Sequence, residues 1–346
     1  MGSYTQELQA TARAMVAKGK GILAMDESNG TCNKRFQKLN IPATEEYRQA
    51  YRQLILTTPG LSEYISGPIL YDETIRQSTQ DGVPFLKVIT DAGMIPGIKV
   101  DTGAKDLADH PGEKVTEGLD GLRDRIAEYY QMGARFAKWR AVITIGEGIP
   151  SRACIEANAH ALARYAALCQ EGGLVPIVEP EVLIDGDHTL ERCWQVTDAT
   201  LHEVFNQLYT QNVAYDQMIL KPSMVIPGKG CSIEASVETI AEATISCLLK
   251  HVPATVAGIA FLSGGQSMEQ SSAHLNAMNK MFGDRCPWPV TFSYARAIQQ
   301  PALDHWSGGS SRVEAAQQKL LYRAKCNSAA SQGKYSSDME KTPALV

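Results

Sequence analysis

Lys221 ends the apolar run Met218-Ile219-Leu220 and precedes Pro222, which keeps the backbone extended and aims the amine into whatever the run is buried in. A lysine amine is a nucleophile only when neutral. Its ordinary pKa of ~10.4 has to fall by ~3 units, roughly 4 kcal/mol, for that form to be abundant near pH 7. Burial supplies part of the shift and a neighbouring cation supplies more. Lys138, closing RFAKW, is the candidate cation. An amine so prepared forms a Schiff base with a carbonyl compound. The plainer reading is a structural lysine paired with Glu179 or Glu181.

Those two carboxylates stand in VEPE, one residue apart, so on a regular strand they face the same side. Pro180 between them denies a neighbour one hydrogen bond and suggests that the regular ladder is ending there. Two carboxylates held close push their pKa values apart, leaving one able to donate a proton while the other stays ionised. Schiff-base chemistry needs such a pair, because carbinolamine dehydration and carbanion formation both move protons. Asp26, directly after GILAM, adds a third acid. The structural alternative for these acids is charge balance for Lys138 and Lys221, and it is compatible with the catalytic one.

Two further groups of residues suit anions. Ser263, Gly264 and Gly265 in FLSGG, with Arg296 in SYAR, offer a hydroxyl, open backbone donors and a guanidinium fork. A bare S-G-G is also what a turn looks like; Arg296 on the next unit favours phosphate. The second group is Ser28, Thr31, Arg35, Lys99 and Arg140. A charge-assisted contact contributes about 1.5–3 kcal/mol, so either group could hold one phosphate. Two anion sites flanking a lysine–carboxylate cluster imply a substrate phosphorylated at both ends.

The elements that would position these residues are eight short apolar runs: 21–25, 67–71, 96–100, 135–139, 174–178, 216–221, 257–263 and 290–294. Stretches of helical period separate them, at about 38 residues per unit, which indicates a (β/α)8 TIM barrel rather than the runner-up, a doubly wound open sheet. The ionisable residues sit at the ends of the runs, and the C-terminal mouth of a barrel is where groups from several strands converge. No Pro/Gly/Ser-rich linker divides the chain, so 1–333 reads as a single barrel domain with an N-terminal helical extension, and 334–346 as a flexible tail.

Composition narrows the partners. The chain has 346 residues, 44% hydrophobic and 21% charged, with 33 Lys+Arg against 38 Asp+Glu and a formal charge of −5. It lacks the basic field of a nucleic-acid binder, so its cations must act locally. Eight cysteines without a C-x-x-C pair read as free thiols, and seven histidines without H-x-H or H-x-x-x-H spacing give no support to a metal site. There is no signal-peptide h-region and no run of 18 apolar residues, so the expectation is a cytoplasmic protein that does not enter the membrane.

The segments GKGILAMDES, GIKVD, GLDGL, GARFAKWR, GLVPIVEPE, DGDH, LKPSM, FLSGGQS and FSYARA occur in an order that resembles class I fructose-bisphosphate aldolase, over roughly residues 19–335. LKPSM and SYARA look more like the plastid and bacterial branch than the animal one. The resemblance implies a barrel without metal or cofactor, assembled as a homotetramer. It implies reversible cleavage of fructose 1,6-bisphosphate to dihydroxyacetone phosphate and glyceraldehyde 3-phosphate, in glycolysis, gluconeogenesis or the Calvin cycle. It makes Lys221 the Schiff-base lysine and Glu179 the general acid/base, with Glu181 orienting and tuning Lys221. Asp26 and Lys138 would bind substrate hydroxyls near the scissile bond. Ser263, Gly264 and Arg296 match the 1-phosphate site, and Ser28, Thr31, Arg35, Lys99 and Arg140 the 6-phosphate region. Two departures stand out: the chain ends TPALV where animal and plant members end in tyrosine, and Ala295 replaces a glycine of the animal branch. The competing readings are a metal-dependent aldolase, a pyridoxal phosphate enzyme, and a non-catalytic scaffold that kept the barrel.

Overall fold

A computed structural model describes residues 4–341. Eight strands are β1 (Gly21–Ala24), β2 (Ile65–Leu70), β3 (Gly97–Lys99), β4 (Phe136–Ile143), β5 (Val175–Val182), β6 (Ile219–Leu220), β7 (Gly258–Phe261) and β8 (Val290–Tyr294). They close into a parallel barrel in sequential order, β1 pairing with both β2 and β8. Each strand falls within or overlaps an apolar run of the sequence. The helical stretches are helices at 45–56, 122–132, 152–171, 190–210, 237–251 and 268–282. Ser and Thr residues open most of them: Thr44, Ser151, Thr189, Ser236 and Ser267 each accept a backbone N–H three residues on. Such caps contribute about 1 kcal/mol apiece and fix where each helix leaves its loop.

The two-residue side-chain period of the strands explains where the ionisable residues point. Ile22, Ala24, Ile69, Phe136, Val175, Ile177, Ile219 and Ala260 share one buried cluster that fills the lower barrel. Stepping by two from that cluster gives Asp26 on β1, Lys138 and Arg140 on β4, Glu179 and Glu181 on β5, and Lys221 after β6. The apolar floor and the charged ceiling are therefore the same face of the same strands. The N-terminal helix (Thr5–Met15) closes the floor from below with Leu8, Ala12 and Met15.

Two features differ from the sequence reading. The β4–β5 ladder does not stop at Pro180: it runs on through Ala141↔Pro180 to Ile143↔Val182. It is the β6 side that ends early, after Val178↔Leu220. The missing proline N–H therefore faces an edge that has no partner to lose. The segment after Gly333 is also docked as far as Lys341. Tyr335 is buried, its N–H donates to Asn276 Oδ1 at 2.9 Å, and its hydroxyl donates to Glu340 Oε1 at 2.8 Å. Glu340 in turn takes Arg323 Nη1 at 2.6 and 2.7 Å. Residues 342–346, the rest of the expected loose tail, lie outside the described residues. A hairpin of strands 103–106 and 114–117, which had no apolar signal, projects between β3 and β4.

Gly97 shows how tightly the floor is filled. A Cβ there would lie 2.0 Å from the Phe136 ring. Gly97→Ala should destabilise the fold by about 1–3 kcal/mol through overpacking, read as a lower urea midpoint at an unchanged m-value; an unshifted midpoint would mean that Phe136 has room to yield.

Candidate active site

The strand ends open into a cavity of about 800 Å³ at the C-terminal mouth. The thirteen residues to which the family resemblance gives a role all line it; Gly265, read beside Gly264 in the sequence, does not. A larger hollow, about 1090 Å³, opens on the flank between the hairpin and helices 152–171 and 190–210; the strand-end lysines are not part of it, and it has no claim on the chemistry.

The centre of the mouth is a chain of buried charges. Lys138 Nζ lies 2.9 Å from Asp26 Oδ2, donating a hydrogen bond, and 2.9 Å from Glu179 Oε2. Glu179 Oε1 lies 3.1 Å from Lys221 Nζ. The contact of Glu179 Oε2 with Lys138 is an ion pair outside hydrogen-bond alignment. Such a carboxylate can still accept a proton.

Electrostatics separates the two lysines. For Lys138, the cost of burial is outweighed by Asp26, Glu179 and Asp101, which hold the ammonium charged far above the usual range. For Lys221, burial is the largest influence and lowers the pKa; the raising pull of Glu179 is opposed by the repulsion of Lys138, and the net shift is downward. Asp26 is driven the other way: burial would raise its carboxyl, but Lys138 and Lys221 bring it to about 2. Glu179 likewise falls below the usual range, burial being overcome by Lys138, Lys221 and Arg140. The arrangement thus has one fixed cation, two ionised carboxylates and one amine eased toward neutrality.

On sequence, the family model for class-I fructose-bisphosphate aldolase matches residues 7–345. The chain belongs to the class I fructose-bisphosphate aldolases. It is similar to a probable class 1 aldolase of Xanthomonas campestris pv. campestris, with 62% identity over 95% of this chain and 98% of that one. It is also similar to chloroplastic fructose-bisphosphate aldolase 3 of Arabidopsis thaliana, with 51% identity over 99% of this chain and 87% of the other. Among solved structures it matches the Plasmodium falciparum aldolase determined in complex with TRAP and a small-molecule inhibitor, at 44% identity and a TM-score of 0.95 over 97% of both chains.

In this aldolase the residues do not all keep the company expected of them. Glu181 turns to the Arg140 guanidinium, so its neighbour is a cation on β4 rather than the Lys221 amine. Arg35 is engaged by Glu27, which also takes Arg52 at 2.8 Å, and its second arm donates to Gln300 at 3.2 Å. Lys99 donates to Asp101 Oδ1 at 2.6 Å. Three of the cations read as phosphate ligands therefore carry carboxylate partners. Ser28 caps helix 29–37 by accepting the Thr31 N–H, which directs that helix N-terminus at the mouth. Sequence reasoning missed Lys34 and Lys38, which line the same cavity and have no acidic partner among the described residues. Their spacing of four with Arg35 between them, on a helix opened by Ser28, was the available signal. It also gave little weight to Ser293, whose buried hydroxyl borders the cavity and has no hydrogen-bond partner among the described residues. On the opposite side Gly264 and Gly265 are both left-handed, with φ of +57° and +86°. Ala295 has φ −105°, so its methyl group demands no left-handed backbone.

Among the described residues no group of His, Cys, Asp and Glu is placed to hold a metal, and no helix is long and apolar enough to cross a membrane. The eight cysteines are free thiols.

If Lys138 is what keeps Lys221 from sharing Glu179 on equal terms, Lys138→Met should raise the Lys221 pKa. An amine reacts when neutral, above its pKa. The pH at which Lys221 is half-labelled by an amine-directed acylating reagent should therefore move up in the variant, and a downward or absent shift would remove Lys138 from this role.

Proposed function

We propose that this class I aldolase cleaves fructose 1,6-bisphosphate reversibly through a Schiff base on Lys221. The reading rests above all on the Lys221 amine: buried, lowered in pKa, and 3.1 Å from a carboxylate that is itself shared with Lys138. The neutral amine attacks the C2 carbonyl, and the carbinolamine loses water to give an iminium ion once its hydroxyl is protonated. The electron pair of the C3–C4 bond then flows into the iminium as a carboxylate takes the C4 hydroxyl proton, and glyceraldehyde 3-phosphate departs. Protonation of the enamine at C3 and hydrolysis release dihydroxyacetone phosphate and restore the amine.

Glu179 is the favoured proton carrier, because it is buried, ionised and held between Lys138 and the Lys221 amine. Asp26, bound by Lys138, suits the C4 hydroxyl and helps its deprotonation. Lys138 stays charged throughout and donates to substrate hydroxyls. Glu181 acts through Arg140, positioning that guanidinium at the rim rather than touching the amine. Ser263, Gly264 and Arg296 take the 1-phosphate; Ser28 and Thr31, with the cations Lys34, Arg35, Lys38, Lys99 and Arg140, surround the 6-phosphate. Assembly as a homotetramer belongs to the same reading and is carried by the family resemblance.

Reducing a mixture of enzyme and dihydroxyacetone phosphate with borohydride should fix one adduct, located by peptide mass on Lys221. Lys221→Met should abolish both adduct and turnover while the circular dichroism stays that of the parent; turnover surviving in that variant, or surviving only without EDTA in the parent, would point to other chemistry.

A further inference from the structure

Beyond the barrel, the loops that follow β5 and β6 are laced together by their backbones. Gly228 N–H donates to the His188 carbonyl at 2.8 Å, Lys229 N–H to Ile184 at 2.9 Å, and Gly230 N–H to Gly186 at 2.8 Å. This ladder fixes where the Lys229 side chain starts. Its ammonium donates to Asp185 Oδ1 at 3.0 Å, but the two side chains are 51% and 70% exposed. A pair so open to water contributes little and exchanges readily.

The other side of the Lys229 ammonium faces the phosphate loop. The position that a Cβ on Gly265 would occupy is 3.0 Å from Lys229 Nζ and 3.6 Å from Arg296 Nη2. Two cations from different loops thus approach one point, and among the described residues Arg296 has no acidic partner to neutralise it. The backbone N–H groups of Gly264 and Gly265 donate to no acceptor among the described residues. Open amides on left-handed residues with a cation on each side form an anion-binding concavity. Neither Lys229 nor Gly265 borders the cavity described above, because the lysine is drawn aside toward Asp185.

We propose that Lys229 is a further substrate-binding residue of the phosphate site, releasing Asp185 to close on the phosphate held by Ser263, Gly264 and Arg296. The inference rests on the aldolase reading and deepens it. It gives the loop that follows the Schiff-base lysine a hold on the substrate, since Lys221 and Lys229 leave the same strand. The phosphate is then contacted from β6 as well as from β7 and β8.

The test uses borohydride trapping of Lys221 at graded concentrations of two ketones, dihydroxyacetone phosphate and unphosphorylated dihydroxyacetone. Lys229→Met should raise the half-saturating concentration of the phosphorylated ketone about three- to tenfold, the scale of a partly exposed charge-assisted contact. The value for dihydroxyacetone should stay at that of the parent. Lys229→Arg should restore most of the loss, and Asp185→Asn, which frees the lysine, should lower the half-saturating concentration of the phosphorylated ketone. An unchanged value for dihydroxyacetone phosphate in Lys229→Met, or an equal rise for both ketones, overturns the inference. A parent enzyme that yields no adduct on Lys221 overturns the aldolase reading itself, so the two failures are distinguishable.

Discussion

One carboxylate held between two buried lysines is the constraint on which this mouth depends. Lys138, Glu179 and Lys221 are each no more than 4% exposed, and Asp26 completes the line. Removing one partner from such a buried pair typically costs about 3–5 kcal/mol, because the other charge is stranded. The cluster avoids that penalty when Lys221 sheds its proton, since Glu179 keeps its contact with Lys138. Lys138 thus adds to burial in easing Lys221 toward neutrality, and it keeps Glu179 paired when that happens. The geometry follows from register: Lys138 lies beside Ile177 and Arg140 beside Glu179 on the β4–β5 ladder. A slip of one residue would turn every one of these side chains outward.

Much of this arrangement was legible in the sequence. Isoleucine, valine and phenylalanine runs spaced by helical stretches are enough to specify eight βα units, and the two-residue period then places Asp26, Lys138, Glu179 and Lys221 on one face. Pairing was the part that could not be read. That Glu181 meets Arg140, and that Glu27 takes Arg35 and Arg52, depends on side-chain reach across strands and loops distant in sequence. The end of the ladder at Pro180 was misjudged for a related reason. A strand has two edges, and the sequence does not say which of them loses its neighbour first. Polar hairpin strands such as 103–106 carry no burial signal and pass as loop.

The same distinction between residue type and residue company sorts the cations of the rim. Arg35, Lys99 and Arg140 were conspicuous because they follow or flank strands, yet each brings its own carboxylate. Lys34 and Lys38, passed over in the sequence, and Arg296, singled out there, face the cavity with no acidic partner among the described residues. An overall charge of −5 is no obstacle to an anionic substrate in such a protein. The acids neutralise one another's neighbours elsewhere, and the local field at the mouth is set by the few cations left over.

The closed floor of the barrel has a consequence for how the chain is born. Leu8, Ala12, Met15 and Val16 emerge from the ribosome ahead of the barrel strands, but their socket is lined by residues as late as Ala260, and Ile22 pairs with Ser293. During most of translation this first helix has no completed surface on which to rest. Its apolar stripe is exposed until the eighth strand arrives, so the most aggregation-prone interval falls before synthesis ends. Closing the ring and seating the plug are then one late event, and the pocket above can form only after the eighth strand has been made.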